Sequence, residues 1–166
     1  MKISGRSIKR RLALWGNRLS RTKHFRGHGV HSPFVYGLVR KVFMRGSLLS
    51  NERELFDRLV AAGLPRRRAM QLHNARIYCN AATYSIDSLD GDFVILTHAY
   101  PTSQLTEAYR DVNARGSILV IVAPYANRER QEASRAIIEQ HTSTSVDNRA
   151  YLLLTNNHLP KQHFRL

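Results

Sequence analysis

The sequence predicts an α/β protein. A basic helical segment, about residues 1–63, packs on a sheet domain, about residues 64–166, whose parallel strands finish in an antiparallel hairpin. Three observations carry this reading. Residues 92–97 (DFVILT) and 117–123 (SILVIVA) are continuous apolar runs of strand length, as expected of strands covered on both faces. Residues 104–114 between them place Leu105, Ala108, Tyr109 and Val112 on one helical side, so the order is strand, helix, strand. Upstream, apolar residues recur at helical spacing amid a run of cations.

The elements follow in order. Ile8, Leu12, Trp15 and Leu19 mark one face of a first helix, with Gly16 weakening its middle. Residues 24–31 form a glycine-bearing loop. Ser32-Pro33 then starts a helix, the hydroxyl as cap and proline in the first turn. Phe34, Val35, Leu38, Val39, Val42 and Phe43 give that helix a wide buried stripe ending near Arg45-Gly46. Asn51 with Glu54 reads as a capping box for a helix whose core face is Leu55, Phe56, Leu59 and Val60, stopped by Gly63. Residues 65–68 are a basic turn, 68–74 a short helix and 76–79 a short strand. A polar helix over 127–140 buries Ala133, Ala136 and Ile137, and 142–147 with 150–155 form two strands joined by a turn at Asp147-Asn148-Arg149.

Charge is unevenly distributed along the 166 residues. The net charge is +14, yet residues 1–51 hold 12 basic side chains and no acid, leaving the remainder close to neutral. Such a segment attracts polyanions through a field that salt screens. Lys9, Arg10, Arg11, Arg18, Arg21, Lys23 and Arg26 are its candidate contacts, and nucleic acid or an anionic membrane surface, met through residues 1–45, is the candidate partner. An organelle transit peptide has a similar Arg-rich, acid-free texture, but structured signals continue well past residue 25.

Several chemistries find no support. The one cysteine, Cys79, excludes an internal disulfide framework and a cysteine zinc site, and its place in an apolar stretch predicts a buried, inert thiol. No apolar run approaches the roughly 20 residues that span a bilayer, and none resembles a secretory core, so the expected compartment is the cytoplasm. There is no Gly-x-Ser-x-Gly elbow, no Walker loop and no internal repeat. His24, His28 and His31 cluster without cysteine or carboxylate, and no metal is expected there. Arg66, Arg67 and Arg68 extend the cationic patch or are simply solvated.

Two terminal motifs add a resemblance. Residues 27–34 (GHGVHSPF) look like the G-[IV]-H-S-P-F opening of a group of class I S-adenosylmethionine-dependent methyltransferase-like proteins of Bacteroidetes-type bacteria, and residues 161–166 (KQHFRL) look like its K-x-H-F ending. Residues 92–98 match that group's fourth strand, 117–124 its fifth, and 142–155 its closing hairpin. The resemblance implies a Rossmann-like sheet with S-adenosylmethionine as cofactor. The chain departs from it in three ways. No Gly-x-Gly turn follows a strand, although that turn and an acidic partner hold the cofactor in such folds. Only residues 57–80 stand where two strands and two helices belong, and one βαβ unit takes about 30 residues. Leu96-Thr97-His98 and Ala123-Pro124-Tyr125 occupy positions where metal-using relatives carry acids.

The expectation is therefore a reduced, degenerate methyltransferase-like protein that needs no cofactor, performs no catalysis, and binds or scaffolds through its basic N-terminal face. Were methyl transfer retained, the resemblance would place S-adenosylmethionine near Cys79, Asn80 and Ala81, with His98 as base beside Tyr100, in a site rebuilt or shared with a partner chain. The third reading is a nucleic-acid or anionic-membrane module unrelated to methyl transfer. A shortened sheet leaves an edge or an apolar face open, so a homodimer through it is a further expectation.

Overall fold

The computed structural model describes residues 32–166. The helix expected over residues 8–19, the histidines His24, His28 and His31, and the cations Lys9, Arg10, Arg11, Arg18, Arg21, Lys23 and Arg26 lie outside the described residues.

Three helices form one layer. Helix α1 (Pro33–Leu38) starts where Ser32 accepts the Val35 N–H at 3.4 Å, and it runs on as a π-helical turn, Val39–Phe43, closed by Met44 N–H on Val39 O at 3.0 Å. Helix α2 (Glu54–Ala61) buries Leu55, Phe56 and Leu59, and Gly63 turns the chain at φ +87°. Asn51 does not cap it. Arg53 holds the cap position with no side-chain bond, and Glu54 instead accepts the Tyr84 hydroxyl at 2.8 Å. Helix α3 (Arg66–Tyr78) corrects a second expectation, because residues 76–78 continue this helix and Cys79 caps its end, rather than forming a strand. Its apolar contacts, Ala69, Leu72 and Ala75, are joined inside by polar groups. Gln71 donates to Phe43 O at 3.2 Å, and Asn74 clamps Leu49 N–H at 2.9 Å and Ser47 O at 3.0 Å.

Six strands follow: β1 (Tyr84–Ile86), β2 (Phe93–Leu96), β3 (Ile118–Val122), β4 (Thr144–Asp147), β5 (Tyr151–Thr155) and β6 (Gln162–Arg165). They form a single sheet in the order β1-β2-β3-β5-β4-β6. β5 alone runs antiparallel, to both of its neighbours, and every other pair is parallel. Helix α4 (Leu105–Ala114), after a 3₁₀ turn at Thr102–Gln104, connects β2 to β3, and helix α5 (Arg128–Gln140), capped by Asn127 Oδ1 on Arg130 N–H at 2.7 Å, connects β3 to β4. The expected α/β class and the antiparallel hairpin over 142–155 are thus present, but the hairpin does not end the sheet, because β6 follows it and pairs parallel to β4.

Neighbouring side chains along each strand serve opposite faces. Phe93, Ile95, Val120, Val146, Tyr151 and Leu153 face α1–α3 in one core, while Val94, Leu96, Leu119, Ile121, Leu152 and Leu154 face α4 and α5 in a second. This double coverage is why the strands read as unbroken apolar runs. Each fully buried Leu or Ile contributes about 1.5–3 kcal/mol of transfer free energy.

One connection breaks the pattern. β1 and β2 are parallel neighbours, yet only residues 87–92 join them, with no helix between. The chain doubles back so closely that a Cβ on Gly91 would lie 3.0 Å from the Tyr84 carbonyl carbon.

Candidate functional site

The parallel strands define a crest at their C-terminal ends, where open α/β sheets bind ligands, and a foot at their N-terminal ends. The structure separates the two halves of the expected methyl-transfer site between them. His98 is exposed at the crest, in the turn after β2, with half-buried Tyr100 two residues on. Cys79, Asn80 and Ala81 end α3 at the foot, where they line a depression of about 470 Å³ with Asp92 and Ile118, the residues that open β2 and β3. Four-residue β2 lies between, a span of about 13 Å at 3.3 Å per residue.

The foot residues do helix-ending work. Asn80 takes φ 55°, the left-handed conformation common just past a helix, and Ala81 N–H bonds Arg76 O at 3.1 Å. Arg76 then clamps the segment, donating to Ala81 O at 3.1 Å, Ala82 O at 2.8 Å and Glu52 Oε1 at 2.9 Å. Burial pushes the Cys79 thiol up to about 12.

At the crest a polar latch occupies the ends of β1 and β2. Asp87, at φ 54°, accepts both the Thr97 N–H and the Thr97 hydroxyl at 2.6 Å. Thr97 O in turn accepts Arg130 Nη2 at 2.7 Å. Arg130 is 2% exposed, and its other donors reach Val122 O at 3.2 Å and Tyr100 O at 3.1 Å. Burial lowers its pKa, opposed by the field of Asp87. The carboxylate that ends β1 is therefore committed to Thr97, and the six-residue return to β2 carries a single glycine, Gly91, packed against the Tyr84 backbone, and no Gly-x-Gly turn. The residues present do not fit S-adenosylmethionine as the resemblance would place it, since Cys79, Asn80 and Ala81 lie at the foot and His98 at the crest. Among the described residues no cluster of three His, Cys, Asp or Glu is arranged for a metal ion, and no helix is long and apolar enough to cross a membrane.

The second feature lies on the outer surface of the helical layer. Arg45, Arg53, Arg66 and Arg67 surround a groove of about 580 Å³ that is also lined by Met44, Phe56 and Met70. Arg53 and Arg66 each stack on the Phe56 ring, at 5.3 and 5.4 Å from its centroid. An adjoining hollow of about 340 Å³ shares Met44 and Arg67 and adds Arg68. Acids here are spoken for: Asp57 pairs with Arg53 at 3.6 Å, Glu54 with Arg58 at 3.7 Å and Glu52 with Arg76 at 2.9 Å. Arg40, Lys41, Arg45, Arg66, Arg67 and Arg68 have no carboxylate within 4 Å among the described residues.

Arg66, Arg67 and Arg68 also form the first turn of α3, where there is no acid. Cations at a helix N-terminus oppose the helix dipole by about 0.3–1 kcal/mol each, so the isolated protein carries an unfavourable concentration of positive charge there. Sequence reasoning named these three arginines as a possible extension of the basic arm. It missed Arg45 and Arg53 as groove walls and Arg130 as a buried anchor, and nothing in local spacing marks those roles.

Comparison of the chain with models of known protein families, with characterised proteins and with solved structures finds no match.

Proposed function

We propose that the protein is a non-catalytic binding protein whose reduced, methyltransferase-like sheet supports a helical face that holds a nucleic-acid strand through its phosphates. The carrying observation is the arginine-walled groove at the start of α3, where Arg45, Arg66, Arg67 and the adjoining Arg68 have no acidic partner among the described residues. Phosphates supply the missing counter-charge, and guanidinium forks bind them bidentately. Residues 1–51 hold 12 basic side chains and no acid, a composition that also attracts polyanions. A strand is favoured over a membrane surface because the groove's aromatic, Phe56, is buried, leaving Met44 as the large apolar side chain exposed at its rim.

The relation to methyltransferases rests on the terminal motifs and on the sheet order, in which one antiparallel strand lies inside an otherwise parallel sheet. The short β1–β2 return and the separation of His98 from Cys79, Asn80 and Ala81 favour a scaffold over an enzyme.

The test is binding of the full chain to single-stranded RNA, single-stranded DNA and vesicles of phosphatidylcholine with phosphatidylserine, each at several salt concentrations. Binding to an oligonucleotide that weakens steeply with salt is expected. Binding to vesicles alone, or to none of the three, contradicts the reading. Saturable binding of S-adenosylmethionine in a parallel titration contradicts the non-catalytic part.

A further inference from the structure

On the opposite face of the sheet, beside α5, lies a crest cavity of about 280 Å³ lined by Gln131, Ser134, Arg135 and Arg165, with Tyr125 and Leu152. We propose that this cavity is a binding site for a small phosphate-bearing molecule, distinct from the basic groove on the helical layer.

The sequence builds the site from two elements. Gln131, Ser134, Arg135 and Ile138 follow i, i+3, i+4, i+7 spacing and so present one stripe of α5. Strand register supplies the other wall. Leu152 of β5 is paired with Asp147 of β4, and Asp147 with Arg165 of β6, so all three lie in one row on one face. Toward β3 that face is apolar, with Leu152 and Leu154 against Ile137. Toward β6 it turns polar, where Ser145 bonds His163 Nδ1 at 2.8 Å and Asp147 stands beside Arg165. The cavity opens where the apolar packing stops.

Three features point to an anion. Ser134 is 2% exposed, and its hydroxyl has no hydrogen-bond partner although it lines the cavity. A buried polar group left unpaired is costly, and a ligand oxygen would satisfy it. Arg135 and Arg165 have no carboxylate within 4 Å among the described residues, so two guanidiniums border the space without an ion pair of their own there. Gln131 adds an amide donor. The nearest acid in the row, Asp147, already accepts the Tyr125 hydroxyl and the Arg149 N–H. Two positive charges with hydroxyl and amide donors suit a phosphate monoester, which carries about −1.5 to −2 at pH 7, better than a single carboxylate. The volume is near the lower end of the roughly 300–1,000 Å³ typical of small-molecule pockets, so the ligand is compact. The position is also the end of the sheet where such folds bind ligands.

The test is calorimetry of the full chain with inorganic phosphate and with phosphoserine, at constant ionic strength against sodium chloride. Both probes should bind saturably if the site reads the phosphate group, and phosphoserine alone if it needs an ester. Arg135→Gln and Arg165→Gln should each weaken binding roughly tenfold, as expected for loss of one charge-assisted contact. Ser134→Ala should weaken binding without lowering thermal stability, since the hydroxyl makes no internal bond; a merely structural serine would leave binding unchanged. Arg66→Gln/Arg67→Gln, on the other face, removes any phosphate bound in the basic groove and should keep the binding that Arg135→Gln and Arg165→Gln weaken. The proposal is overturned if neither probe binds, if Arg135→Gln and Arg165→Gln bind normally, or if only the Arg66/Arg67 variant loses binding. That last outcome would leave the nucleic-acid reading standing and remove this one.

Discussion

Replacing Arg130 by methionine tests the crest most sharply. Methionine keeps most of the side-chain bulk and removes every donor. Three carbonyls, those of Thr97, Tyr100 and Val122, lose bonds of 2.7, 3.1 and 3.2 Å. Bonds from a charged donor are worth about 1.5–3 kcal/mol each, and removing the buried guanidinium returns several kcal/mol of desolvation cost. The net expected loss is about 2–4 kcal/mol, a large part of the roughly 5–15 kcal/mol that holds a domain together. In urea, with a slope of about 2 kcal/mol/M, the midpoint should fall by about 1–2 M at unchanged slope. Arg128→Met is the control: its exposed pair with Glu132 should matter by only about 0.3–0.5 kcal/mol. An Arg130→Met midpoint equal to that of the natural protein would refute the latch as a source of stability.

Three further outcomes are expected. Burial lowers the pKa of His141, partly opposed by its bond to Thr155 O, and lowers that of His73, opposed by Glu52. Both are therefore neutral in the fold, and the unfolded chain takes up protons that the folded one refuses. Stability should be intact above about pH 6.5 and fall below it, by up to about 1.4 kcal/mol per pH unit per histidine; melting temperatures that rise between pH 7 and pH 5 would contradict this. Cys79, with its thiol pushed up to about 12, should resist iodoacetamide at pH 8 in the folded protein and react on unfolding, as mass spectrometry would show. A Cβ on Gly37 would lie 2.2 Å from the Tyr78 hydroxyl, which donates to Phe34 O at 2.9 Å. Gly37→Ala should cost about 1–2 kcal/mol despite alanine's helix preference, and less in a Tyr78→Phe background, as a double-mutant cycle of denaturation midpoints would show.

The elements whose burial is apolar were legible. β2, β3, β5, α4 and the Ser32-Pro33 start stand where their patterns indicated, because their core faces are made of Leu, Ile, Val and Phe. Helix α3 was misread at its end for the opposite reason. Its inner face carries Gln71, His73 and Asn74, which hold the 43–50 segment, so its apolar periodicity is nearly absent, while Ile77 and Tyr78 look like strand residues. Strands β1 and β6 escaped notice because they are short edge strands, three and four residues long. The capping box at Asn51 failed because Glu54 was drawn to Tyr84 across the fold, a contact 30 residues distant. Of the candidate sites, the basic side chains named between Lys9 and Arg26 lie outside the described residues, and only tertiary structure could assemble the groove or bring β6 beside α5.

On the function proposed above, the face at the start of α3 binds phosphates of a nucleic-acid strand. The most direct measurement is the slope of log K against log salt for a fluorescent single-stranded oligonucleotide, compared between the natural protein and Arg66→Gln/Arg67→Gln. The account predicts a steep slope for the natural protein and one shallower by about 1.4 for the variant, since each phosphate contact to a single strand contributes about 0.7. Equal slopes, or an affinity that ignores salt, would contradict it.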